Sequence, residues 1–403
     1  MSQSSHPLGS SDSAYMTADE AARALNVSIQ TLYTYVSRKN IRSHKLRGSR
    51  VSRYLRSDVE QLKRGVAIDA SRDIVPGLAA SSAITLVTET GSFYRGISAV
   101  DLADHATLED VARLLWDTRD FDPFDTLIPA MPVYGQALLE ASSHYNALDR
   151  AMMFLPAAET ANPRAHDLTK LGFMNSSVEV LRWFAALMLG QTRPAQGPLH
   201  EYLGKITQCG PQLEDAVRRV LVLAADQAFQ SATYAVRATA STGATPYRCI
   251  VTGLAAATGK RLPAVRASAF SRFIKEIDQA DDPTEPVRTR ARENEAMPGF
   301  GFSTFDVSDP RAVALLSSLR TVLSGDSLFE RFDSALTLAS ELTGQHPDFA
   351  FLAAYVNQRI GADPQANLVR FARIVGWIAH AWEQQNDHPV PRWRVHYMGN
   401  LPV

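Results

Sequence analysis

The sequence predicts a mostly α-helical protein, with a small helix-turn-helix head in front of a long helical body. Three observations predict this fold class. The first 65 residues are strongly basic, two short segments with helix-capping residues follow one another within them, and the rest of the chain shows apolar residues at helical spacing without runs of alternating strands. At 403 residues, the chain is long enough for two or three structural units.

Composition excludes several classes of protein. No apolar stretch approaches the roughly 18 residues of a membrane span, and the Ser-rich residues 1–14 lack the basic and apolar regions of a secretory signal. We therefore expect a soluble, cytoplasmic protein without membrane contact, and a disordered tail at residues 1–14. Cys209 and Cys249 show neither a CxxC pattern nor Cys/His spacing, so we expect reduced structural thiols and no metal site.

The chain is nearly neutral as a whole, but its two ends differ in net charge. Residues 1–65 hold eleven Lys and Arg against five Asp and Glu, a net charge of +6, which leaves −7 for the remainder. A compact basic module on an acidic body favours a polyanion-binding head, because neutralising phosphates releases counterions from DNA. A solvated basic face without a partner is the alternative that charge alone leaves open.

The head begins with a capping-box pattern. Thr17 is placed to accept a hydrogen bond from the backbone of Glu20, whose carboxylate reaches back, and Ala21, Ala22 and Leu25 then fall on one helical face. The pattern predicts a short helix that ends before the next capping signal.

A second short helix is predicted after a break at Asn26 and Val27, with Ser28 as its N-cap. In a helix-turn-helix the second helix enters the major groove of DNA. Its inward residues are predicted to be Leu32, Tyr35 and Val36. The side chains predicted to contact DNA are Gln30, Thr31, Tyr33, Thr34 and Arg38 on this helix, and Arg47 and Arg50 after it.

Residues 41–62 are compatible with a small hairpin wing followed by a helix that restarts near Ser57. The runs MTADEAARALNVSIQTLYTYVSRKNI and YLRSDVEQL resemble the helix-turn-helix of the MerR and excisionase group. The resemblance implies a DNA-binding domain over residues 15–65, and the open alternative is a reused fold that docks another protein or a second subunit. Residues 66–76, which mix Gly, Asp, Ser and Pro, are predicted to be a linker.

The body carries arginines in apolar segments, where burying a charged side chain costs free energy. Arg373 has Val369 and Trp377 one turn away on its own helical face, and a guanidinium in such apolar company needs an anionic partner, either a carboxylate side chain or a bound ligand. Arg311 and Arg392 lie in other segments of the body. A structural ion pair explains each one alone, whereas several together favour a site for a di- or tricarboxylate, because the planar guanidinium binds carboxylates bidentately.

The same segments are similar to citrate synthases over residues 74–400. The resemblance is carried, in order, by GLAASSAITLVTETGSFYRGISAVDLADHATLEDVARLLW, DQAFQSATYAVRATAST, GFGFSTFDVSDPR, HPDF, FARIVGWIAHAWEQ and RWRVHYMG. It implies an almost all-helical fold with a large domain (77–255 and 350–403) and a small domain (256–349) that closes over the substrate, working as a homodimer.

The resemblance also implies roles for single residues. Arg311, Arg373 and Arg392 match carboxylate ligands of oxaloacetate or citrate, the last reaching across the dimer interface, and Asp348 matches the carboxylate base. A coenzyme A thioester is the co-substrate that the resemblance implies, and no tightly bound cofactor is expected.

Three positions depart from the family pattern. Gln227, Leu262 and Phe302 stand where the family has histidines that polarise or protonate the reacting carbonyls. Glutamine still donates a hydrogen bond but transfers no proton near neutral pH, and leucine and phenylalanine do neither. Loss of one such group typically lowers the reaction rate by a factor of about 10² to 10⁴. We therefore expect the condensation that the family catalyses to be severely slowed in this protein.

Other histidines offer few replacements. His346, two residues before Asp348, is the weak candidate for a displaced acid, whereas His200 is interpreted as a surface or packing residue and His380 as structural. The sequence therefore predicts the loss of proton donors rather than their relocation.

Two hypotheses from different classes remain open. In the first, the protein is a ligand-responsive DNA-binding regulator. A citrate-like anion that binds to the body changes the placement of the two helix-turn-helix heads of one dimer. In the second, it is a citrate or 2-methylcitrate synthase-type acyltransferase that condenses an acyl-CoA with oxaloacetate through a modified site, or as a heterodimer with a citrate synthase relative. Leu262 and Phe302 count against the enzyme, and the intact Asp348 counts for it.

Overall fold

A computed structural model describes residues 15–38, 41, 43–45, 52–63, 82–126, 128–228, 230–259, 266–301 and 308–387, and these residues are mostly helical, as predicted. They divide into two compact units, the first made by the residues up to 63 and the second by nearly all residues from 82 onward. The predicted tail (1–14) and linker (66–76) lie outside the described residues.

The head combines three helices with a three-stranded sheet. Its elements are β1 (Tyr15–Met16), α1 (Ala18–Leu25), α2 (Ile29–Arg38), β2 (Ser43–Lys45), β3 (Ser52–Leu55) and α3 (Arg56–Lys63). β3 lies between β1 and β2, and both pairings are antiparallel. The β2–β3 pair confirms the hairpin wing, and α3 confirms the restart of a helix after it.

Local capping explains the two short helices of the head. The Glu20 amide donates to Thr17 Oγ1 at 3.3 Å, and the Thr17 amide donates to Glu20 Oε2 at 2.7 Å, so the predicted capping box is present. Asn26 ends α1 in the left-handed conformation at φ 54°, which Asn tolerates better than most residues. The Thr31 amide donates to Ser28 Oγ at 3.1 Å, as an N-cap requires.

The second unit is a helical body around one large apolar core. Its helices within the described residues are α4 (Ala99–His105), α5 (Leu108–Trp116), α6 (Gly135–Ala141), α7 (Ala147–Ala161), α8 (Lys170–Met188), α9 (Leu199–Thr207), α10 (Pro211–Ala224), α11 (Ser231–Ala240), α12 (Pro246–Ala256), α13 (Arg266–Gln279), α14 (Glu285–Glu293), α15 (Pro310–Val322), α16 (Ser327–Thr343), α17 (Phe349–Arg359) and α18 (Leu368–Asp387).

A small sheet at the start of the body differs from the sequence expectation, which gave no strands there. β4 (Thr85–Thr88), β5 (Gly91–Tyr94) and β6 (Ile97–Ser98) form a sheet in that order. Strands of two to four residues are too short to show an alternating pattern. The β5–β6 turn places Arg95 and Gly96 at positive φ, 46° and 90°.

Helix α18 runs through the middle of the core and positions the site. It packs against α5, α10, α11 and α12. Helical spacing in the sequence predicts one apolar face made of Leu368, Phe371, Val375, Ile378 and Trp382. The first four are fully buried and Trp382 is half-buried, which confirms the face. Among the residues that the structure describes, no helix has the length and apolar character needed to cross a membrane.

The two cysteines of the body are free thiols. Cys209 is half-buried and Cys249 is buried. Burial raises the pKa of the Cys249 thiol to about 12. A thiol of this kind stays protonated near neutral pH and is a poor nucleophile.

Candidate anion-binding site

Arg373 is a buried cation that the protein satisfies only in part. Its side chain projects from the second turn of α18, and the residue is 7% exposed. Nη2 donates to Gln227 Oε1 at 3.3 Å, and Nη1 is buried without a hydrogen-bond partner in the part of the chain that the structure describes. Burial lowers the pKa of the guanidinium, while the nearby Asp226 carboxylate opposes that shift. The prediction that Arg373 is buried and needs an anion is therefore supported by its surroundings.

Arg311 lies in the first turn of α15 and is 3% exposed. Its Nε and Nη2 donate to the two carboxylate oxygens of Asp309 at 3.0 and 2.7 Å. Its guanidinium carbon lies 4.8 Å from the centre of the Phe349 ring. Nη1 is again buried and has no hydrogen-bond partner among the residues that the structure describes. The pair with Asp309 is the structural ion pair that the sequence left open for a single arginine, and it occupies one edge of this guanidinium.

The two arginines belong to one electrostatic neighbourhood. The positive charge of Arg311 contributes to lowering the pKa of Arg373. Both charges also act on the Tyr94 hydroxyl, whose pKa burial raises to about 12. Two buried cations that repel each other while each keeps an unpartnered N–H are an arrangement that a bound anion stabilises.

A buried network behind the site holds Gln227 in place. Asp226 is fully buried, and its Oδ2 lies 3.1 Å from His380 Nε2 and accepts a hydrogen bond from the Ala228 amide at 3.1 Å. The Tyr94 hydroxyl contacts the Asp226 carbonyl oxygen at 3.3 Å. Burial opposes ionisation of Asp226, but His380 and Arg373 hold the pKa of its carboxyl below the ordinary value. The network fixes the residue just before Gln227.

Sequence reasoning missed Asp226 and found its histidine partner only as a structural residue. The signal was present for both, since Asp226 directly precedes Gln227 and His380 lies two turns after Arg373 on the same helix. The two are 154 positions apart in the chain, so no local pattern predicts that they meet.

Gly376 allows α18 to approach this network. A Cβ atom at Gly376 would lie 2.4 Å from Asp226 Oδ1 and 2.6 Å from the Ala225 carbonyl oxygen. The Gly376 amide donates to that same carbonyl at 3.1 Å. The absence of a side chain is therefore required for the helix to pack this closely.

We expect Gly376→Ala to destabilise the body by about 1–3 kcal/mol, because overpacking against backbone cannot relax easily. Urea unfolding followed by tryptophan fluorescence measures the effect, since all five tryptophans lie in the chain after residue 82. Gly204→Ala is the matched control, because the nearest atom there is the flexible carboxylate end of Glu214. Equal loss in both variants would contradict the explanation.

Asp348 is placed at the start of α17, next to the Arg311 neighbourhood. It is buried, its amide donates to the Gly299 carbonyl at 2.7 Å, and its side chain makes no capping hydrogen bond to the helix. The following residue, Phe349, is the ring that Arg311 covers. The residue that matches the family's base is thus held by a backbone hydrogen bond and directly precedes the ring that Arg311 covers.

Several predicted site residues lie outside the described residues. They are Leu262, Phe302, Arg392, Arg47 and Arg50, together with the side chain of Arg38. Their roles stay predictions. Of the histidines considered as replacements, His346 is exposed, whereas His200 is buried in the first turn of α9, which fits the packing role of the two roles, surface or packing, that the sequence left open.

The outward face of α2 forms a separate candidate site in the head. Gln30 and Thr34 are exposed and Tyr33 is 55% exposed, whereas Leu32 is fully buried. Thr31 is half-buried, and its hydroxyl lies 2.8 Å from Ser28 Oγ at the helix start. The predicted inward and outward faces are therefore confirmed for these residues, with Thr31 at their boundary.

Comparison with known proteins agrees with this geometry. The sequence model described as "Citrate synthase, C-terminal domain" matches residues 75–394, and that described as "Helix-turn-helix domain" matches residues 15–66. "Citrate synthase 2" of Bacillus subtilis (strain 168) is 23% identical over 360 residues, which cover 82% of this chain and 96% of the relative.

Two solved structures share the fold. Citrate synthase from Pyrobaculum aerophilum aligns with a TM-score of 0.68 at 16% identity, over 81% of this chain and 91% of that one. A ternary complex of citrate synthase from Thermoplasma acidophilum with carboxymethyl coenzyme A and oxaloacetate aligns with a TM-score of 0.64 at 18% identity, over 83% of this chain and 97% of that one.

The fold and the site define a helix-turn-helix domain fused to a mostly helical body that buries two arginines in one neighbourhood. The family model matches residues 75–394, which is most of the chain, so the match assigns the body to a family. The chain belongs to the citrate synthase family.

Proposed function

We propose that this protein is a ligand-responsive DNA-binding regulator whose citrate-synthase body binds a citrate- or oxaloacetate-like carboxylate. One observation carries the proposal: Arg311 and Arg373 are buried in one neighbourhood, and among the described residues each keeps an Nη1 without a hydrogen-bond partner. An unsatisfied buried donor costs about 1–3 kcal/mol, and more when charged. A carboxylate that reaches both groups removes that cost.

The lost histidines favour binding over turnover. Gln227 already contacts Arg373, so it can help to hold a ligand oxygen, but it cannot act as an acid near neutral pH. The replacements at Leu262 and Phe302 remove two further donors from the positions that the family uses. A body that binds the anion without converting it does not consume its ligand, so the bound state lasts as long as the anion is present.

The exposed face of α2 supports a DNA-binding head. Gln30, Tyr33 and Thr34 offer two hydrogen-bonding side chains and an aromatic ring on one face of the helix that would enter the major groove. Arg47 and Arg50 add positive charge for the phosphates. We propose a dimer, either a homodimer or a heterodimer with a citrate synthase relative, which reads two half-sites.

Citrate should change the affinity of the full chain for DNA, by about 5- to 150-fold if the two sites are coupled as in typical allosteric proteins. The measurement is fluorescence anisotropy with a duplex obtained by in vitro selection, at fixed salt concentration. Tyr33→Ala should abolish specific binding, whereas Tyr134→Ala, in a residue that is 81% exposed on the body, is the matched control. Equal DNA binding by both variants would overturn the proposed DNA face.

A modified acyltransferase is the second candidate, favoured by the buried Asp348 beside the arginine neighbourhood. In this case the co-substrate is a coenzyme A thioester. Thiol release from acetyl-CoA or propionyl-CoA with oxaloacetate tests it, with Asp348→Ala as the key variant. Turnover that Asp348→Ala abolishes would establish the enzyme and overturn the regulator, whereas no turnover together with citrate binding supports the regulator.

A further inference from the structure

The outward face of α2 in the head carries no charged side chain over residues 29–36. Ile29 is 40% exposed and Tyr33 is 55% exposed. Gln30 and Thr34 are also exposed, and because they are one helical turn apart they lie next to each other on this face. A partner of the face therefore meets an amide, hydroxyl groups and apolar atoms instead of charges.

The lack of charge on this face disfavours direct contacts to guanine and cytosine. In the major groove, guanine is read mainly by Arg or Lys, which donate to O6 and N7, and cytosine by Asp or Glu, which accept from N4. Residues 29–36 hold neither kind of side chain. A side-chain amide forms two hydrogen bonds with adenine N6 and N7, and an apolar group contacts the thymine methyl. The chemistry of this face therefore suits A·T pairs.

Gln30 is placed to contact a base edge. It is the second residue of α2, and the N-terminal residues of a recognition helix are those that reach the bases. Its side-chain amide makes no hydrogen bond to the residues that the structure describes. The neighbouring Thr31 differs, since it is half-buried and its hydroxyl lies 2.8 Å from Ser28 Oγ. Gln30 therefore keeps both a donor and an acceptor for a base.

Thr34 offers a methyl group to a partner. Its Oγ1 donates to the Gln30 carbonyl oxygen at 3.2 Å, so the hydroxyl hydrogen is used inside the helix. The methyl group of an exposed threonine can then contact the methyl group of a thymine. Exposed apolar atoms of Ile29 lie at the same end of the helix.

We propose that Gln30 recognises an adenine, and Thr34 the methyl group of a nearby thymine, in the major groove of each half-site. The inference rests on the proposed function, because it takes α2 to be the helix that enters the groove. It adds the chemical class of the target, which is a half-site with A·T pairs at the positions under the N-terminal half of α2. Contacts to phosphates do not carry this information, since they are the same for every sequence.

Selection of duplexes from a randomised pool by the full chain, followed by fluorescence anisotropy at fixed salt concentration, tests the role of Gln30. The selected half-sites should contain an A·T pair whose replacement by G·C weakens binding about 5- to 150-fold. Gln30→Arg should prefer guanine at that one position. Gln212→Arg, which adds the same charge at an exposed position of the body, is the matched control and should still select adenine.

Modified bases test the individual contacts. 7-Deazaadenine lacks the N7 acceptor, so it should weaken binding of the unchanged protein about 2- to 12-fold and leave binding of Gln30→Ala unaffected. Deoxyuridine lacks the thymine methyl, so it should weaken binding about three- to fivefold, except in Thr34→Ser. Thr34→Val keeps a methyl group and is the matched control, which should respond to deoxyuridine as the unchanged protein does.

The outcomes separate this inference from the proposed function. If Gln30→Arg keeps the base preference of the unchanged protein, or if the modified bases affect the variants and the unchanged protein equally, the inference is wrong and the DNA-binding head still stands. If the unchanged protein shows no sequence preference, both the inference and the proposed DNA-binding function are wrong. Gln30 and Thr34 are exposed, so these substitutions remove no contact of the head's core.

Discussion

Replacing Arg373 with alanine should weaken citrate binding about 30- to 5,000-fold, because removing one partner of a buried charged contact costs about 2–5 kcal/mol. The group is 7% exposed and meets one protein acceptor, Gln227 Oε1, at 3.3 Å. Calorimetric titration with citrate measures the loss. Arg373→Lys should recover only part of the affinity, since an ammonium keeps the charge but not the planar pair of donors.

Stability distinguishes a ligand-binding arginine from a structural one. A buried guanidinium that waits for a ligand carries an uncompensated desolvation cost, so Arg373→Ala should leave the melting temperature of the free protein unchanged or raise it. A fall of several degrees would mean that Arg373 serves mainly as the counter-charge of Asp226, contrary to the proposed role. Arg320→Ala, which removes a surface pair with Asp333, is the control for both measurements.

Replacing Glu383 with glutamine should destabilise the body by about 3–5 kcal/mol, the usual cost of breaking a buried ion pair from one side. Glu383 Oε2 accepts from Arg237 Nη1 at 2.7 Å, and the side chains are 7% and 3% exposed. Glu383 Oε1 also accepts from the Ala83 amide at 2.7 Å, so the pair ties the start of β4 to α18. Urea unfolding read by tryptophan fluorescence measures the change, with Glu341→Gln on the exposed side of α16 as the control.

The same carboxylate predicts a pH dependence of definite sign. Burial opposes ionisation of Glu383, but the hydrogen bond from Ala83 and the charge of Arg237 hold its pKa below the ordinary value of 4.5. Its contribution to stability is therefore complete above the unfolded-state pKa and is lost as the pH falls through the lower folded-state value. The difference in unfolding free energy between the protein and Glu383→Gln should shrink below about pH 4.5. A difference that grows on acidification would contradict this assignment.

The sequence by itself determined the features that depend on neighbours in the chain. The capping box at Thr17 and Glu20, the N-cap at Ser28 and the buried faces of α1, α2 and α18 follow from spacings of three and four residues, which a helix fixes without help from the fold. The family resemblance implied roles for Arg311, Arg373 and Asp348 from the order of motifs along the chain, and those roles stay predictions.

Only the tertiary structure decided how those residues are used. In the folded protein, Asp309 pairs with one edge of the Arg311 guanidinium. Asp226 contacts His380, which lies 154 positions away in the chain, and Gly376 packs against the Asp226 carboxylate. The physical reason is that burial depends on which helices pack together, and burial decides whether a charge must find a partner. Arg373 shows the difference most clearly, since its sequence context predicted a buried cation, but the packing of α18 decided that its Nη1 has no hydrogen-bond partner among the described residues.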